Sequence, residues 1–314
     1  MDKILAVFKI RNSGVKMFSE VLGNVETKKL LENSINTQKI SHSYMFIGQS
    51  GIGKFMIAKE FAKAVLCQGQ QKPCDKCEAC IKFNGDNNPD IQIIDDTEEK
   101  SIKTETIKEM VKGVYEKPIA SLKKVYIIND SQKMTKEAQN SLLKTLEEPP
   151  EYVVIILITE NENLLLNTIK SRCTKVKFSS LTNNEIVRIL KEKYDYNEIS
   201  ENILEVAGGS VTNALSAIGK ENIFSEIKTV FSNLENTNII DLLNKKDLIF
   251  KDKDDIYEAL DYINIILFKG INQNVKYTNC IKVVEETKER LKKNSNYDMT
   301  IDNLLLKIWE EING

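Results

Sequence analysis

Two short stretches hold the residue types that do chemistry. Gly48-Gln49-Ser50-Gly51-Ile52-Gly53-Lys54-Phe55 is a GxxxxGK run. Glycines at that spacing let backbone N–H groups converge on phosphate oxygens. The start of a following helix adds positive potential, and the lysine reaches the β and γ phosphates. Gly48, Gly51, Gly53 and Lys54 are therefore the candidate nucleotide-binding residues. The second stretch carries Cys67, Cys74, Cys77 and Cys80. Four thiolates in one short excursion suit tetrahedral Zn²⁺, and a complete four-cysteine shell leaves no open position for chemistry, so the expected role is structural. An iron–sulfur cluster is the main rival. Against it, the fourth cysteine lies upstream and the Cys-Pro that ends ferredoxin-type runs is absent. A disulfide framework belongs to small secreted domains.

The residue after Lys54 matters most for turnover. A working loop has Ser or Thr there, whose hydroxyl ligates Mg²⁺. Phe55 offers no ligand atom. A second magnesium-organising site belongs at the end of the third strand, as a hydrophobic run followed by Asp-Glu. The chain has Val125-Tyr126-Ile127-Ile128-Asn129-Asp130-Ser131. In one register Asn129 takes the metal position and Asp130 the water-activating one; in the other Asp130 takes the metal and Ser131 stands where the base should be. Neighbouring strand residues face opposite ways, so either register leaves the site one carboxylate short. Losing that group and the hydroxyl together should slow hydrolysis by several decades, since phosphoryl transfer rests on positioning and charge stabilisation. The expectation is a nucleotide-site fold without turnover: the Mg²⁺ site is lost, and ATP or ADP is held weakly if at all.

The elements that must position these residues follow from pattern. All five prolines (Pro73, Pro89, Pro118, Pro149, Pro150) lie in the first half, which alternates short β-branched or aromatic runs with amphipathic segments. That is the mark of a parallel α/β sheet. Strands are expected at Tyr44–Ile47, Ile91–Asp95, Val125–Ile128, Val153–Ile158 and Thr174–Phe178, with helices at Phe55–Leu66 and Lys136–Leu146 between them. Pro149-Pro150 stops the second of these helices. The proline-free remainder reads as helical, with Gly208 as a helix C-cap, Ser210 as a possible cap of the next helix, and a core stripe of Ile256, Leu260, Ile263, Ile266 and Leu267.

Composition excludes several classes. The 314 residues are 41% hydrophobic and 29% charged, with 44 Lys+Arg against 46 Asp+Glu and a net charge of −2. This fits a globular protein and not a bulk cationic nucleic-acid binder. No apolar run is long enough for a membrane span, and the opening Met1–Lys9 is too soon broken by charge for a secretory signal. The cytoplasm is the expected location. Residues 1–16 read as an extension of uncertain status, either a loose segment or the product of a misassigned start.

Three further stretches carry a resemblance. Ser41-His42-Ser43-Tyr44-Met45-Phe46-Ile47-Gly48 leads into the loop. Ala138-Gln139-Asn140-Ser141-Leu142-Leu143-Lys144-Thr145-Leu146-Glu147-Glu148-Pro149-Pro150 follows the third strand, and Thr168-Ile169-Lys170-Ser171-Arg172-Cys173 precedes the fifth. With the cysteine insert, these resemble the bacterial clamp-loader ATPases of the AAA+ class from about Phe18 to Leu215; beyond, only length and helical character match. The resemblance implies an AAA+ domain over 17–179 with the cysteine insert at 67–80, a helical lid over 180–221 and a helical collar domain over 222–314. Similar inserts in that family support zinc.

The family holds hydrolysing gamma/tau and non-hydrolysing delta-prime subunits. Its ATPases carry an arginine in Gly-Ser-x-Arg-x-Ala-Leu, where this chain has Thr212 within Gly209-Ser210-Val211-Thr212-Asn213-Ala214-Leu215. Together with Phe55 and the strand-end departure, this favours the delta-prime type. Taken alone, Arg172 reads as a surface or capping residue. Within Ser-Arg-Cys, the resemblance makes it an arginine finger supplied in trans to a neighbour's ATP site. The implied partners are gamma/tau and delta subunits, with the sliding clamp and primed DNA reached through the assembly. A slow gamma/tau-type ATPase and a zinc-stabilised AAA+ scaffold outside replication remain as alternatives. His42 and Cys173 read as packing residues.

Overall fold

A computed structural model describes residues 17–95, 101–251, 253 and 255–314; the expected extension at 1–16 lies outside them. The described residues form two compact units. One runs to Tyr196 and takes in Gly209–Thr212; the other comprises Asn197–Gly208 and Asn213–Gly314.

The first unit is an open parallel sheet with helices on both faces. Its elements are α1 (Val25–Asn36), β1 (Ser43–Ile47), α2 (Lys54–Leu66), α3 (Glu78–Asn84), β2 (Ile91–Ile94), α4 (Thr104–Val114), β3 (Lys124–Ile128), α5 (Lys136–Glu147), β4 (Val153–Thr159), α6 (Asn167–Lys170), β5 (Thr174–Lys177) and α7 (Asn183–Tyr194). The strand order is β2-β3-β4-β1-β5, all pairs parallel. Strands β3 and β4 are buried along their whole length, which explains the run of apolar residues over Val125–Ile128 and Val153–Ile158. At the edge, β5 buries only Val176 and turns Lys175 and Lys177 outward, a charge pattern that discourages further strand pairing.

Alternation along β1 divides the core. Met45 joins Ile155 and Leu157 of β4 against Ile107, Met110 and Val114 of α4 and Ala138, Leu142 and Leu146 of α5. Its neighbour Tyr44 faces the other way and meets Phe61 of α2 edge-to-face at 5.2 Å. Thr135 caps α5 by accepting from the Ala138 N–H, and a capping box between Thr182 and Glu185 starts α7.

The second unit is helical among its described residues. It holds α8 (Glu201–Ala207), most of α9 (Val211–Ala217), α10 (Glu221–Phe231), α11 (Ile239–Asn244), α12 (Lys246–Ile249), α13 (Ile256–Gly270), α14 (Tyr277–Lys292) and α15 (Tyr297–Asn313). Gly208 ends α8 in the left-handed conformation expected of a C-cap. The stripe on α13 is buried as core. Tyr262 of that helix is fully buried and donates to Glu205 at 2.9 Å, while Lys228 and Lys269 pair with the same carboxylate. No helix among the described residues is long and apolar enough to cross a membrane.

Candidate functional site

Strand β1 delivers Gly48 to the carboxyl edge of the sheet, the place where open parallel sheets bind ligands. Gly51 (φ 69°) and Gly53 (φ 89°) take left-handed conformations that a side chain would strain, and α2 starts directly afterwards. Lys54 is buried, and its ammonium donates to the carbonyls of Gly48 at 2.6 Å and Gln49 at 2.5 Å. Burial pushes this amine down from its ordinary range, while Glu160 and Asp130 pull it up. The four expected loop residues are thus together, with the lysine turned onto its own loop.

Segment Gly209–Thr212 closes on the same loop. The Val211 N–H donates to the Gly51 carbonyl at 2.9 Å. A Cβ on Gly51 would lie 2.2 Å from Ser210 Oγ and 2.7 Å from Thr212 Oγ1, so only glycine admits this approach. Thr212, singled out in the sequence, therefore does reach the loop. It brings a hydroxyl and no charge.

On the metal side, the geometry fits the first of the two registers. Ser131 is fully buried and donates to the Ile158 carbonyl at 2.9 Å, which removes it from any role as a base. The Asn129 amide donates to Asp95 at 2.8 Å. Asp130 sits in a left-handed turn (φ 46°), pairs with Lys133 at 3.2 Å and is one of two carboxylates whose field reaches Lys54. Magnesium wants several hard oxygen ligands. Phe55 supplies none, and Asn129, whose amide nitrogen donates to Asp95, offers a neutral carbonyl oxygen where a carboxylate is wanted, so these residues do not fit a Mg²⁺ site of the working kind. Asp95, Lys133 and Glu160 went unnoticed in the sequence; the available signal was their position at or just beyond strand ends on the ligand-binding edge.

The cysteines make a different picture. Cys67 ends α2, and its N–H donates to the Lys63 carbonyl. The four Sγ atoms all lie within 4.8 Å of one another, with Cys67 and Cys77 at 4.0 Å. A single tetrahedral ion at ~2.3 Å from each sulfur needs S···S spacings of this order. The same spacing is too tight to straddle a multi-iron cluster, whose four thiolates are spread over two or four irons. Backbone N–H groups of Gly69 and Cys74 point at Cys67 Sγ, and that of Cys77 at Cys74 Sγ, each at 3.3 Å. Such donors stabilise thiolates and orient ligands. At Cys74 burial is outweighed by such donors together with hydrogen bonds from the Cys67 and Cys77 side chains, which bring the thiol down to about 6, whereas burial pushes Cys67 and Cys80 up. The donor set fits Zn²⁺, which Cys67, Cys74, Cys77 and Cys80 could hold as a structural ion. Two supports were missed in the sequence. Gly69 packs so closely that a Cβ would stand 2.7 Å from Cys74 Cβ, and Asp75 pairs with Lys63 of α2 at 2.5 Å.

Arg172 lies just past α6 and before β5. Its Nη2 meets Glu147 Oε1 at 2.6 Å and its Nη1 donates to the Thr168 carbonyl at 2.8 Å. The main chain is held too, since Ser43 Oγ donates to the Arg172 carbonyl at 2.6 Å. Next to it, burial pushes the Cys173 thiol up to about 11, in keeping with a packing role. His42 contributes its carbonyl to the sheet by accepting from Ile155 N–H.

Comparison with known proteins agrees with this geometry. The family described as "DNA polymerase III, delta subunit" matches residues 23–182, just over half of the chain. The DNA polymerase III subunit delta' of Bacillus subtilis is 29% identical, with 90% of this chain and 95% of that one covered. Gamma/tau subunits of Mycoplasma pneumoniae (34% identical, 68% of this chain, 32% of that one) and Mycoplasma genitalium (33%, 81% and 44%) also match. The chain thus spans less than half of the length of those gamma/tau relatives. The strand order and the phosphate loop at the end of β1 define an AAA+-type phosphate-loop protein. More particularly, the chain belongs to the DNA polymerase III delta-subunit family of clamp-loader proteins.

Proposed function

We propose that this chain is a non-hydrolysing, delta-prime-type subunit of the replicative clamp loader. On this reading it works in the cytoplasm with gamma/tau and delta subunits, helps place a sliding clamp on primed DNA, and supplies Arg172 in trans to a neighbour's ATP site. Residues 17–179, 180–221 and 222–314 would serve as nucleotide-site, lid and collar domains. The observation that carries the reading is the asymmetry of the nucleotide site. Its phosphate-binding loop is complete, yet Phe55 replaces the metal-ligating hydroxyl and Asn129 is bonded to Asp95. Arg172, by contrast, keeps a partly exposed guanidinium.

A finger in trans acts by offsetting charge that develops on the transferring phosphoryl group, an effect worth about 10³-fold or more in GTPases. Replacing Arg172 with Ala in the reconstituted complex should therefore leave assembly intact and lower its ATPase severalfold. Unchanged activity would refute the role. A second reading, a slow gamma/tau-type ATPase, is favoured by the 33–34% identity to gamma/tau chains and by the two carboxylates, Asp130 and Glu160, that act on Lys54. Its signature is Mg²⁺-dependent turnover by the isolated chain that disappears in Lys54→Ala. The scaffold reading would be favoured if affinity purification repeatedly recovered no other clamp-loader subunit.

A further inference from the structure

We infer that Glu147 is the positioning residue for Arg172, holding the guanidinium over the α6–β5 turn in the pose from which it meets a phosphate. The inference rests on the trans role proposed for Arg172 above.

Glu147 is the last residue of α5, and Glu148 leaves the helix at φ −128° and ψ 63° before Pro149-Pro150. A carboxylate at a helix C-terminus faces the negative end of the macrodipole, where acidic residues are disfavoured. Two stand in a row here, Glu147 and Glu148, and Lys144 is the one basic residue of that last turn. Arg172 brings a cation from outside the helix to Glu147 at 2.6 Å. The other contacts are the Thr168 carbonyl at 2.8 Å and Ser171 Oγ at 3.4 Å, both from Nη1. These engage at most three of the five N–H groups of a guanidinium and leave the others to point elsewhere.

The arginine is pinned at both ends. Its carbonyl accepts from Ser43 Oγ at the start of β1, and its N–H donates to Ile169 O at 3.0 Å. With the main chain fixed, the side-chain rotamer is the remaining freedom, and Glu147 is the charged group that restrains it. A planar fork held in advance loses less freedom when it binds an oxyanion. The pair is also only partly buried, with side-chain exposures of 33% and 47%. Such pairs are weak, so a neighbour's polyphosphate can draw on the remaining donors, or displace the carboxylate, without a large penalty.

The test uses the reconstituted complex, reading kcat and KM for ATP together with thermal melting of each variant chain. Glu147→Ala should lower kcat by about two- to threefold, less than Arg172→Ala does, with KM within about twofold, because the loss falls on the transition state. Glu147→Asp should recover most of that loss. Glu147→Gln, which keeps the shape and an acceptor, should lie between, and it stands in if the alanine variant melts early. In an Arg172→Ala background, Glu147→Ala should add nothing. If Arg172→Ala lowers kcat but Glu147→Ala leaves it unchanged or raises it, the positioning role is overturned while the finger stands. A further loss from Glu147→Ala on top of Arg172→Ala would likewise overturn it, since Glu147 would then act elsewhere. No effect of Arg172→Ala would overturn both.

Discussion

The cysteine module and the phosphate loop sit at opposite ends of the same helix, and they differ in completeness. At the C-terminal end of α2, four thiols converge within 4.8 Å, with N–H donors aimed at two of the sulfurs and a glycine making room for the approach. At the N-terminal end, the backbone half of an anion site is intact, but the metal half has a phenyl ring and a neutral amide in place of a hydroxyl and a carboxylate. A structural ion needs only its ligands. Phosphoryl transfer needs ligands, a base and charge in register, so each missing group lowers turnover while the loop still folds.

Removing the metal should break the comparison most strongly. Gently purified, reduced protein should contain about one zinc per chain by elemental analysis. Its chelation should cost several kcal/mol, read as a fall in Tm on the order of 10 °C. If zinc is absent, the cysteine module is no more complete than the loop. The next effect should come from Gly69→Ala, which forces a methyl to within 2.7 Å of Cys74 Cβ. Zinc affinity in a competition titration should drop by about 10- to 100-fold, the usual range for a disturbed ligand surround. Wild-type affinity in that variant would mean the knuckle yields easily.

Repairing the loop is the complementary experiment. Phe55→Thr alone should leave ATP turnover at background. Adding Asn129→Asp sets a carboxylate beside Asp95, which is tolerable only with a cation between them, and should raise Mg²⁺-dependent turnover about tenfold. Turnover from Phe55→Thr alone would reduce the whole difference between the two sites to one side chain. The smallest effect concerns Cys173. With its thiol held at about 11, only about one molecule in a thousand is thiolate at pH 8, so iodoacetamide should label it far more slowly than a free thiol. Rapid labelling in the native protein would show that this turn opens readily.

The central strands were legible because parallel strands buried on both faces read as apolar runs, the edge strands β2 and β5 as short β-branched runs, and each of the five expected segments agrees with an observed one to within a residue. The two main helices were equally plain, since α2 follows the loop and α5 carries its apolar residues on one face. Glu147 and Asp95 were not legible as functional neighbours. An acidic residue at a helix or strand end has many possible partners, and nothing local selects one. Gly69 was equally hidden, because its importance lies in a close approach by Cys74 and not in a backbone angle that spacing would reveal.

What the sequence determined by itself was whatever lies within one turn or one loop. The GxxxxGK run and the Cys-x2-Cys-x2-Cys spacing place their donors together through a few backbone dihedrals, so spacing alone specifies the chemistry. Only the tertiary structure decided which distant groups meet them: Ser210 and Thr212 against Gly51, Asp95 against Asn129, and Glu147 against Arg172. Those meetings depend on the order of strands in the sheet and the packing of helices across it. They arise from the global burial of apolar surface, which no short stretch of sequence encodes.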